Sequence, residues 1–334
     1  MLPEVVTPLI PFFHPTTVIH VEDNTSYSTL LQSVLEPEIL VARHKSARNA
    51  LAAIEKAGAR RSSSQQLVRA FADRTDFSQA QVAAMRDVMF DPLRFNDITV
   101  AIVDYAMPDM DGLEFCRQIA HTPIGRVLLT ARADRKTATR ALDHGLIHYY
   151  IDKTSRSFLE EIRNAVYTLQ AAYFGSNCQF RFETEGDNRF GFTRDAEVAG
   201  ALRRYLTIAP VEMYLCDDPA GVLYIDGEGI AELVLVFSEQ VYRRHIDEAA
   251  RRGAPEWYLE HLRARQWLDW RGGSDGFFDP QRTPSNDDLL RATVLHGTSG
   301  DYVVATLNHT QYWKHAPYAT YRGWLENREA ANGV

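Results

Sequence analysis

The stretch Ile98-Thr99-Val100-Ala101-Ile102-Val103-Asp104-Tyr105-Ala106-Met107-Pro108-Asp109-Met110-Asp111-Gly112-Leu113-Glu114 runs from six apolar or β-branched residues straight into a carboxylate. Six such residues without polar alternation read as a strand buried on both faces, the habit of a central strand in a parallel sheet. Asp111-Gly112 is a turn signal in the loop that follows, and a helix is expected over about 112–121. Outward from this core the same alternation repeats. Thr17-Val18-Ile19-His20-Val21 is a strand ending in Glu22-Asp23, with Asn24-Thr25-Ser26 opening a helix through Leu31 and Val34. Ile39-Leu40-Val41, Arg126 to Thr130 and Ile147 to Ile151 supply three more strands. Helices are expected over Ala47–Ala57, about 133–144, and about 156–172, where Phe158, Leu159, Ile162, Val166 and Leu169 form one stripe. The pattern predicts an α/β, doubly wound, five-stranded parallel sheet with function gathered at the carboxyl ends of its strands.

Glu22, Asp23, Asp104, Thr130 and Lys153 each fall at or just after a strand end. Folding brings three carboxylates, a hydroxyl and an ammonium into one crevice. Clustered carboxylates repel unless a cation sits among them, and hard oxygen donors of this kind suit Mg²⁺. A carboxylate in such a setting can attack a phosphoryl group, because the surrounding positive charge offsets that of the transferring oxygens. Taken singly, Asp111-Gly112 is a turn and Lys153 a solvated charge; their joint order along the chain carries the reading.

These motifs resemble the receiver family of bacterial response regulators. Asp104 to Glu114 is similar to the family's phosphoacceptor loop, Glu22-Asp23 to its metal-binding acidic pair, Thr130-Ala131 to its switch hydroxyl, and Lys153 to its phosphate-contacting lysine. Tyr150 stands where the family carries an aromatic that turns inward on activation. The resemblance implies that Asp104 accepts phosphate from a sensor histidine kinase or phosphotransfer protein. It also implies Mg²⁺ held by Asp23, Asp104 and the backbone carbonyl of Ala106, with Glu22 assisting. It covers residues 17–174. Two departures stand out: Thr154 replaces the proline usual after the lysine, and Asp23 lies 81 positions before Asp104, nearly double the usual gap. The extra material, about 59–97, reads as an inserted helical hairpin with apolar faces through Leu67, Val68 and Phe71 and through Val82, Met85, Val88, Met89 and Phe90. Such faces ordinarily bury against their own domain; docking of a kinase or of the output domain is the alternative.

At 334 residues the chain has room for two domains. Charge divides them: residues 1–174 hold 19 Lys+Arg against 20 Asp+Glu, and residues 175–334 hold 17 against 24. Lys314 is the only lysine of the second half, and all five tryptophans (Trp257, Trp267, Trp270, Trp313, Trp324) lie there. An acidic module of this kind is a poor grip for a DNA backbone, so DNA binding is not expected. No apolar run is long enough to span a bilayer. Residues 1–16, with four prolines and no basic leader, read as an extended arm. Cys116, Cys178 and Cys216 are odd in number and lack metal-ligand spacing, which suits a reducing cytoplasm. The arm and the 156–172 helix offer dimer surfaces, and a homodimer is expected.

The second half, 175–334, reads as an α+β output domain with an antiparallel sheet. Val211–Cys216, Gly221–Ile225 and Ala231–Phe237 form a meander of hairpins. Ser238 caps a helix to about Arg252, and Pro255 opens another to about Trp270. After a Gly- and Pro-rich loop, Tyr302–Asn308 returns as a strand, and a helical tail closes the chain. The order of elements loosely resembles PAS-like sensory domains. Asp217-Asp218, Asp287-Asp288, His296, His309 and His315 are possible ligating or catalytic groups, but none has a partner at motif spacing, and no site is assigned. A regulator acting through protein or small-ligand binding, without an enzymatic output, is the leading expectation. An output enzyme acting on a nucleotide or second messenger is the alternative.

Overall fold

In a computed structural model, the structure describes residues 9–36, 39–60, 62–72, 85, 87–131, 135–175, 190–217, 220–270, 278–308 and 319–332. The chain forms two compact units. One comprises residues 14–72 and 91–177, and the other residues 2–13, 73–90 and 178–334.

After a two-residue strand β1 (Phe12–Phe13), which belongs to the second unit, the first unit is the parallel α/β domain. Its elements are β2 (Thr17–Val21), α1 (Thr25–Leu35), β3 (Leu40–His44), α2 (Ala47–Arg60), α3 (Ser63–Ala72), β4 (Ile98–Asp104), α4 (Gly112–Gln118), β5 (Gly125–Thr130), α5 (Arg135–Asp143), β6 (Tyr149–Asp152) and α6 (Phe158–Gly175). The sheet order is β3-β2-β4-β5-β6, every pairing parallel. The alternation of Cβ direction along β4 divides the core in two. Ala101 and Val103 meet Ala50 and Ile54 of α2, Phe115 and Cys116 of α4, and Ala138 and Ala141 of α5. Val100 and Ile102 meet Leu31 and Leu35 of α1 and Ile162, Val166 and Leu169 of α6. Both faces of β4 are therefore dry, as its unbroken apolar run requires.

The inserted segment contributes α3, as its first apolar face predicts, with Leu67 and Val68 buried. Ser62 sits at its start: its hydroxyl donates to Asp97 Oδ1 at 2.6 Å and accepts from the Gln65 N–H. Gln65 also donates to Asp97 Oδ1 at 3.0 Å. Asp97 is buried at the head of β4, and burial pushes its pKa up to about 7 against the opposing pull of those donors. Of the expected second helix, Met85, Val88 and Met89 are buried, whereas 73–84 lie outside the described residues.

The second unit is built on an antiparallel seven-stranded sheet, order β1-β7-β8-β9-β12-β11-β10. Its elements after β1 are α7 (Ala196–Ala201), β7 (Pro210–Asp217), β8 (Ala220–Asp226), β9 (Ala231–Ser238), α8 (Glu239–Arg251), α9 (Glu256–Arg263), β10 (Trp267–Asp269), β11 (Leu289–Gly297), β12 (Gly300–Asn308) and α10 (Tyr321–Asn332). The meander β7–β8–β9 and the Ser238 cap follow the sequence reading, with the Ser238 hydroxyl accepting from the Val241 N–H. Three features differ from it. The helix opened by Pro255 stops at Arg263 instead of reaching Trp270, because Arg265 takes a left-handed φ of 55°. Trp267–Asp269 then pairs as an edge strand with β11. The segment 289–297, for which no strand is anticipated, pairs antiparallel with β12. Of the expected N-terminal arm, residues 1–8 lie outside the described residues; Phe12 and Phe13 pair with Tyr214 and Met213 of β7, and Leu9 and Ile10 are buried.

Candidate functional site

Four parallel strands deliver their carboxyl ends to one edge of the sheet. β2 ends at Val21, so Glu22 and Asp23 follow immediately. The backbone N–H of Glu22 donates to His44 O at 3.0 Å, continuing the sheet one residue further and fixing the carboxylate's origin. Glu22 is buried and Asp23 exposed. Asp104 is the last residue of β4 and is 7% exposed. One carboxylate oxygen from each of Glu22, Asp23 and Asp104 lies within 4.8 Å of the others.

Lys153, one residue beyond β6, reaches back into this cluster. Its Nζ stands 2.6 Å from Glu22 Oε2 and 2.9 Å from Asp104 Oδ1. Its own N–H donates to Thr130 O at 3.0 Å, tying the β6 end to the β5 end. Burial raises the Glu22 pKa; the Lys153 hydrogen bond and charge oppose that, and the negative charge of Asp104 reinforces it. The cluster thus favours additional positive charge beyond the lysine. Its donor chemistry, three hard carboxylate oxygens around one point, fits Mg²⁺.

The loop after Asp104 is held by its own polar residues. Asp111 caps α4 by accepting from the Glu114 N–H at 2.8 Å. Gly112 N–H donates to Tyr105 O at 2.9 Å, and a Cβ on Gly112 would stand 2.4 Å from Asp104 O. Only glycine lets α4 start this close to the strand. Asp109 leaves the loop to cap α2, accepting from the N–H groups of Ala47 and Arg48 at 3.3 and 3.2 Å. Partial desolvation pushes its pKa up, but those N–H donors and Ser46 prevail and hold the carboxyl below its usual range.

The structure places the other expected residues as follows. Thr130 is the buried last residue of β5, and Ala131 is exposed just beyond it. Ala106 is exposed in the loop two residues after Asp104. Tyr150, half-buried in β6, packs against the core on the α2–α4–α5 side of the sheet. Thr154 does without proline geometry: its N–H and Oγ1 both donate to Asp152 Oδ1, at 2.8 and 2.6 Å, closing a tight turn under the lysine. Sequence reasoning missed Tyr27, one turn into α1. The Lys153 ammonium sits over its ring, 4.7 Å from the centroid. The signal was available in outline, since the first turn of a helix that begins just past Asp23 must border the crevice.

In the second unit, Asp288 accepts from the Ser285 backbone and hydroxyl and pairs with Arg282, a structural cap. His296 pairs with Asp301 at 2.8 Å on the surface. Asp218, His309 and His315 lie outside the described residues. No helix among the described residues is long and apolar enough to cross a membrane.

A parallel five-stranded sheet carrying an acidic cluster and a lysine at its carboxyl edge defines a receiver-type signalling domain. Residues 60–166 match the response regulator receiver domain family, and the chain therefore carries a response regulator receiver domain, with a separate antiparallel domain beside it in sequence. The matched segment contains Asp104, Thr130 and Lys153, while Glu22-Asp23 precede it, separated by the insertion. Among solved structures, the chain is similar to the Legionella pneumophila response regulator LqsR at 25% identity and TM-score 0.74, with 97% of each chain covered. It also aligns over part of its length with an adenylate cyclase from Rhodopirellula baltica (20% identity, 47% of this chain and 90% of that one, TM-score 0.34). A receiver domain protein from Clostridium thermocellum aligns similarly (18% identity, 46% and 94%, TM-score 0.31). No curated protein matches the sequence.

Proposed function

We propose that this response regulator accepts a phosphoryl group on Asp104 from a sensor histidine kinase or phosphotransfer protein, and that the acyl phosphate controls the antiparallel domain. The observation carrying this reading is the approach of Lys153 Nζ to both Asp104 and Glu22 at the carboxyl edge of the sheet. In the transfer, an Asp104 carboxylate oxygen attacks phosphorus, a P–O bond forms, the P–N bond to the donor histidine breaks, and the histidine nitrogen takes a proton. Lys153 neutralises charge on the phosphoryl oxygens. The Thr130 hydroxyl, at the adjacent strand end, is the hydrogen-bond donor that reads the phosphorylated state, and Tyr150 is the aromatic that follows it. Glu22, Asp23, Asp104 and the Ala106 carbonyl would hold Mg²⁺, which supplies further offset of phosphoryl charge when bound.

The output reading is protein or small-ligand binding in the cytoplasm, without catalysis and without DNA binding; the acidic balance of residues 175–334 supports the last of these. The homodimer surface would come from α6, on which Leu159 is exposed, or from the N-terminal stretch that precedes β1. The test is labelling by phosphoramidate with Mg²⁺, followed by mass spectrometry: the wild type gains one phosphoryl group and Asp104→Asn gains none. Labelling of Asp104→Asn at the wild-type level would overturn the assignment. A DNA-binding or enzymatic output would show as retardation of DNA fragments or as turnover of nucleotides by the phosphorylated protein.

A further inference from the structure

We propose that Tyr27 is a positioning residue that holds the Lys153 ammonium against Asp104. The inference rests on the reading of Asp104 as phosphoacceptor and adds the group that keeps its lysine in place.

A lysine has four rotatable bonds, and an ammonium at a strand end gains from leaving for water. Lys153 is followed by Thr154, whose turn onto Asp152 fixes the backbone but does not reach the side chain. Three groups do reach it. Glu22 and Asp104 attract the ammonium from one side, at 2.6 and 2.9 Å. The Tyr27 ring face covers another side at 4.7 Å, where the π-electrons favour a cation.

The ring is itself fixed. It tilts against Phe158 of α6 with centroids 5.8 Å apart and against His20 of β2 at 6.4 Å. Asn24 caps α1 by accepting from the Tyr27 N–H, which sets the residue's place on the first turn. The Tyr27 hydroxyl is buried without a hydrogen-bond partner among the described residues, so it is the ring and not the hydroxyl that engages the site. Burial, and then the charges of Glu22 and Asp104, push the phenol pKa up and keep it neutral. The aromatic face therefore remains an uncharged wall beside the cluster.

The experiment compares Tyr27→Leu, which keeps apolar bulk but removes the π-face, with Tyr27→Phe, which keeps the ring. Full-length proteins are labelled with phosphoramidate in Mg²⁺, and Lys153 is followed by NMR of 13C,15N-lysine-labelled protein. Tyr27→Leu is expected to slow labelling about fivefold, equivalent to about 1 kcal/mol at 1.36 kcal/mol per decade, and Tyr27→Phe to keep at least half the wild-type rate. In the Lys153→Met background, Tyr27→Leu is expected to add nothing, the signature of a residue acting through the lysine. The Lys153 side-chain protons, shifted upfield by the ring in wild type and Tyr27→Phe, are expected to lose that shift in Tyr27→Leu. Wild-type labelling rates in Tyr27→Leu, or an equal slowing in both lysine backgrounds, would overturn the proposal. If the wild type itself never labels, the phosphoacceptor reading fails, while the Lys153 resonances still decide whether Tyr27 holds the lysine.

Discussion

Phe12→Ala is expected to destabilise the antiparallel domain, although residue 12 precedes the whole receiver in sequence. Phe12 is fully buried, stacks on Tyr214 with ring centroids 6.4 Å apart and planes 7° from parallel, and pairs with it across β1 and β7. The backbone around it is bonded into the same unit: Leu215 N–H donates to Pro11 O at 2.9 Å, and Leu9 N–H donates to Thr193 O at 2.7 Å. Truncating a buried phenylalanine costs about 3–5 kcal/mol, of which an aromatic pair contributes about 1. β1 is a short edge strand that can settle into part of the void, so the lower figure applies, about 3 kcal/mol. For a unit of this size that corresponds to a fall in Tm of about 6–12 °C. The assay is urea unfolding followed by tryptophan emission, because all five tryptophans lie in residues 257–324 and report that unit. Phe12→Leu, which keeps most of the volume, should lose about 1 kcal/mol. A Trp-monitored shift below about 1 kcal/mol for Phe12→Ala would refute the view that β1 is an integral strand of that sheet.

Three further outcomes follow from the receiver. Gly112→Ala drives a Cβ to 2.4 Å from Asp104 O and 2.8 Å from a Leu128 methyl; it should cost about 1–3 kcal/mol and slow labelling at least tenfold, by chemical denaturation and phosphoramidate kinetics. Gly58→Ala, inside α2 with nothing within 4 Å of the added Cβ, should instead stabilise by up to about 1 kcal/mol in the same denaturation. Asp97, with its pKa raised to about 7 when folded, holds a proton in the native state that the unfolded chain has already lost above its ordinary value near 3.8. Its contribution is therefore full below that value and declines as pH rises to 7, by at most about 4 kcal/mol. Asp97→Asn should flatten this part of the stability–pH profile between pH 4 and 7; an unchanged slope would remove Asp97 as its source.

The parallel domain was legible because its signals are local and redundant. The apolar run 98–103 has to be buried on both faces, and Asn24-Thr25-Ser26 opens a capped helix; the cap at Asp111 and the close approach at Gly112 emerge only in the structure, because Asp-Gly alone reads as a turn. The charged site followed from strand ends, since a parallel sheet sends those ends to one edge whatever lies between them. The antiparallel domain was less legible where neighbours, not the segment itself, choose the state. Trp267–Asp269 continues an apparently helical pattern, and only the left-handed turn at Arg265 and the β11 edge make it a strand. β11 carries His296 and Gly297 and has a mixed burial pattern, so its alternation is weak. β1 was illegible for a different reason. Its partner β7 lies some two hundred positions away across the receiver, and Phe12-Phe13 is too short to declare itself.

That long-range pairing bears on how the receiver communicates. The chain passes from the second unit to the receiver at His14 and back to it after Asn177, and residues 73–90 also belong to the second unit, so the receiver domain is joined to its neighbour at both ends and through its insertion. The two ends connect to different parts of the receiver. His14 leads within a few residues into β2, whose end carries Glu22 and Asp23, and Gly175 closes α6, whose first residue, Phe158, packs on Tyr27. A change in the charge around Lys153 therefore bears on the elements at the two ends of the receiver: through Glu22 on β2, and through Tyr27 and Phe158 on α6. A receiver tethered by a single terminal linker can transmit only through its last helix or its surface. Here the β2 route is available as well, and severing it is feasible. Cleavage at a protease site inserted after Pro15 should leave phosphoryl labelling within twofold of the uncut protein while lowering the effect of phosphorylation on tryptophan emission. An unchanged emission response after cleavage would remove the β2 route and leave transmission to α6, the connection through residues 73–90 and the receiver surface.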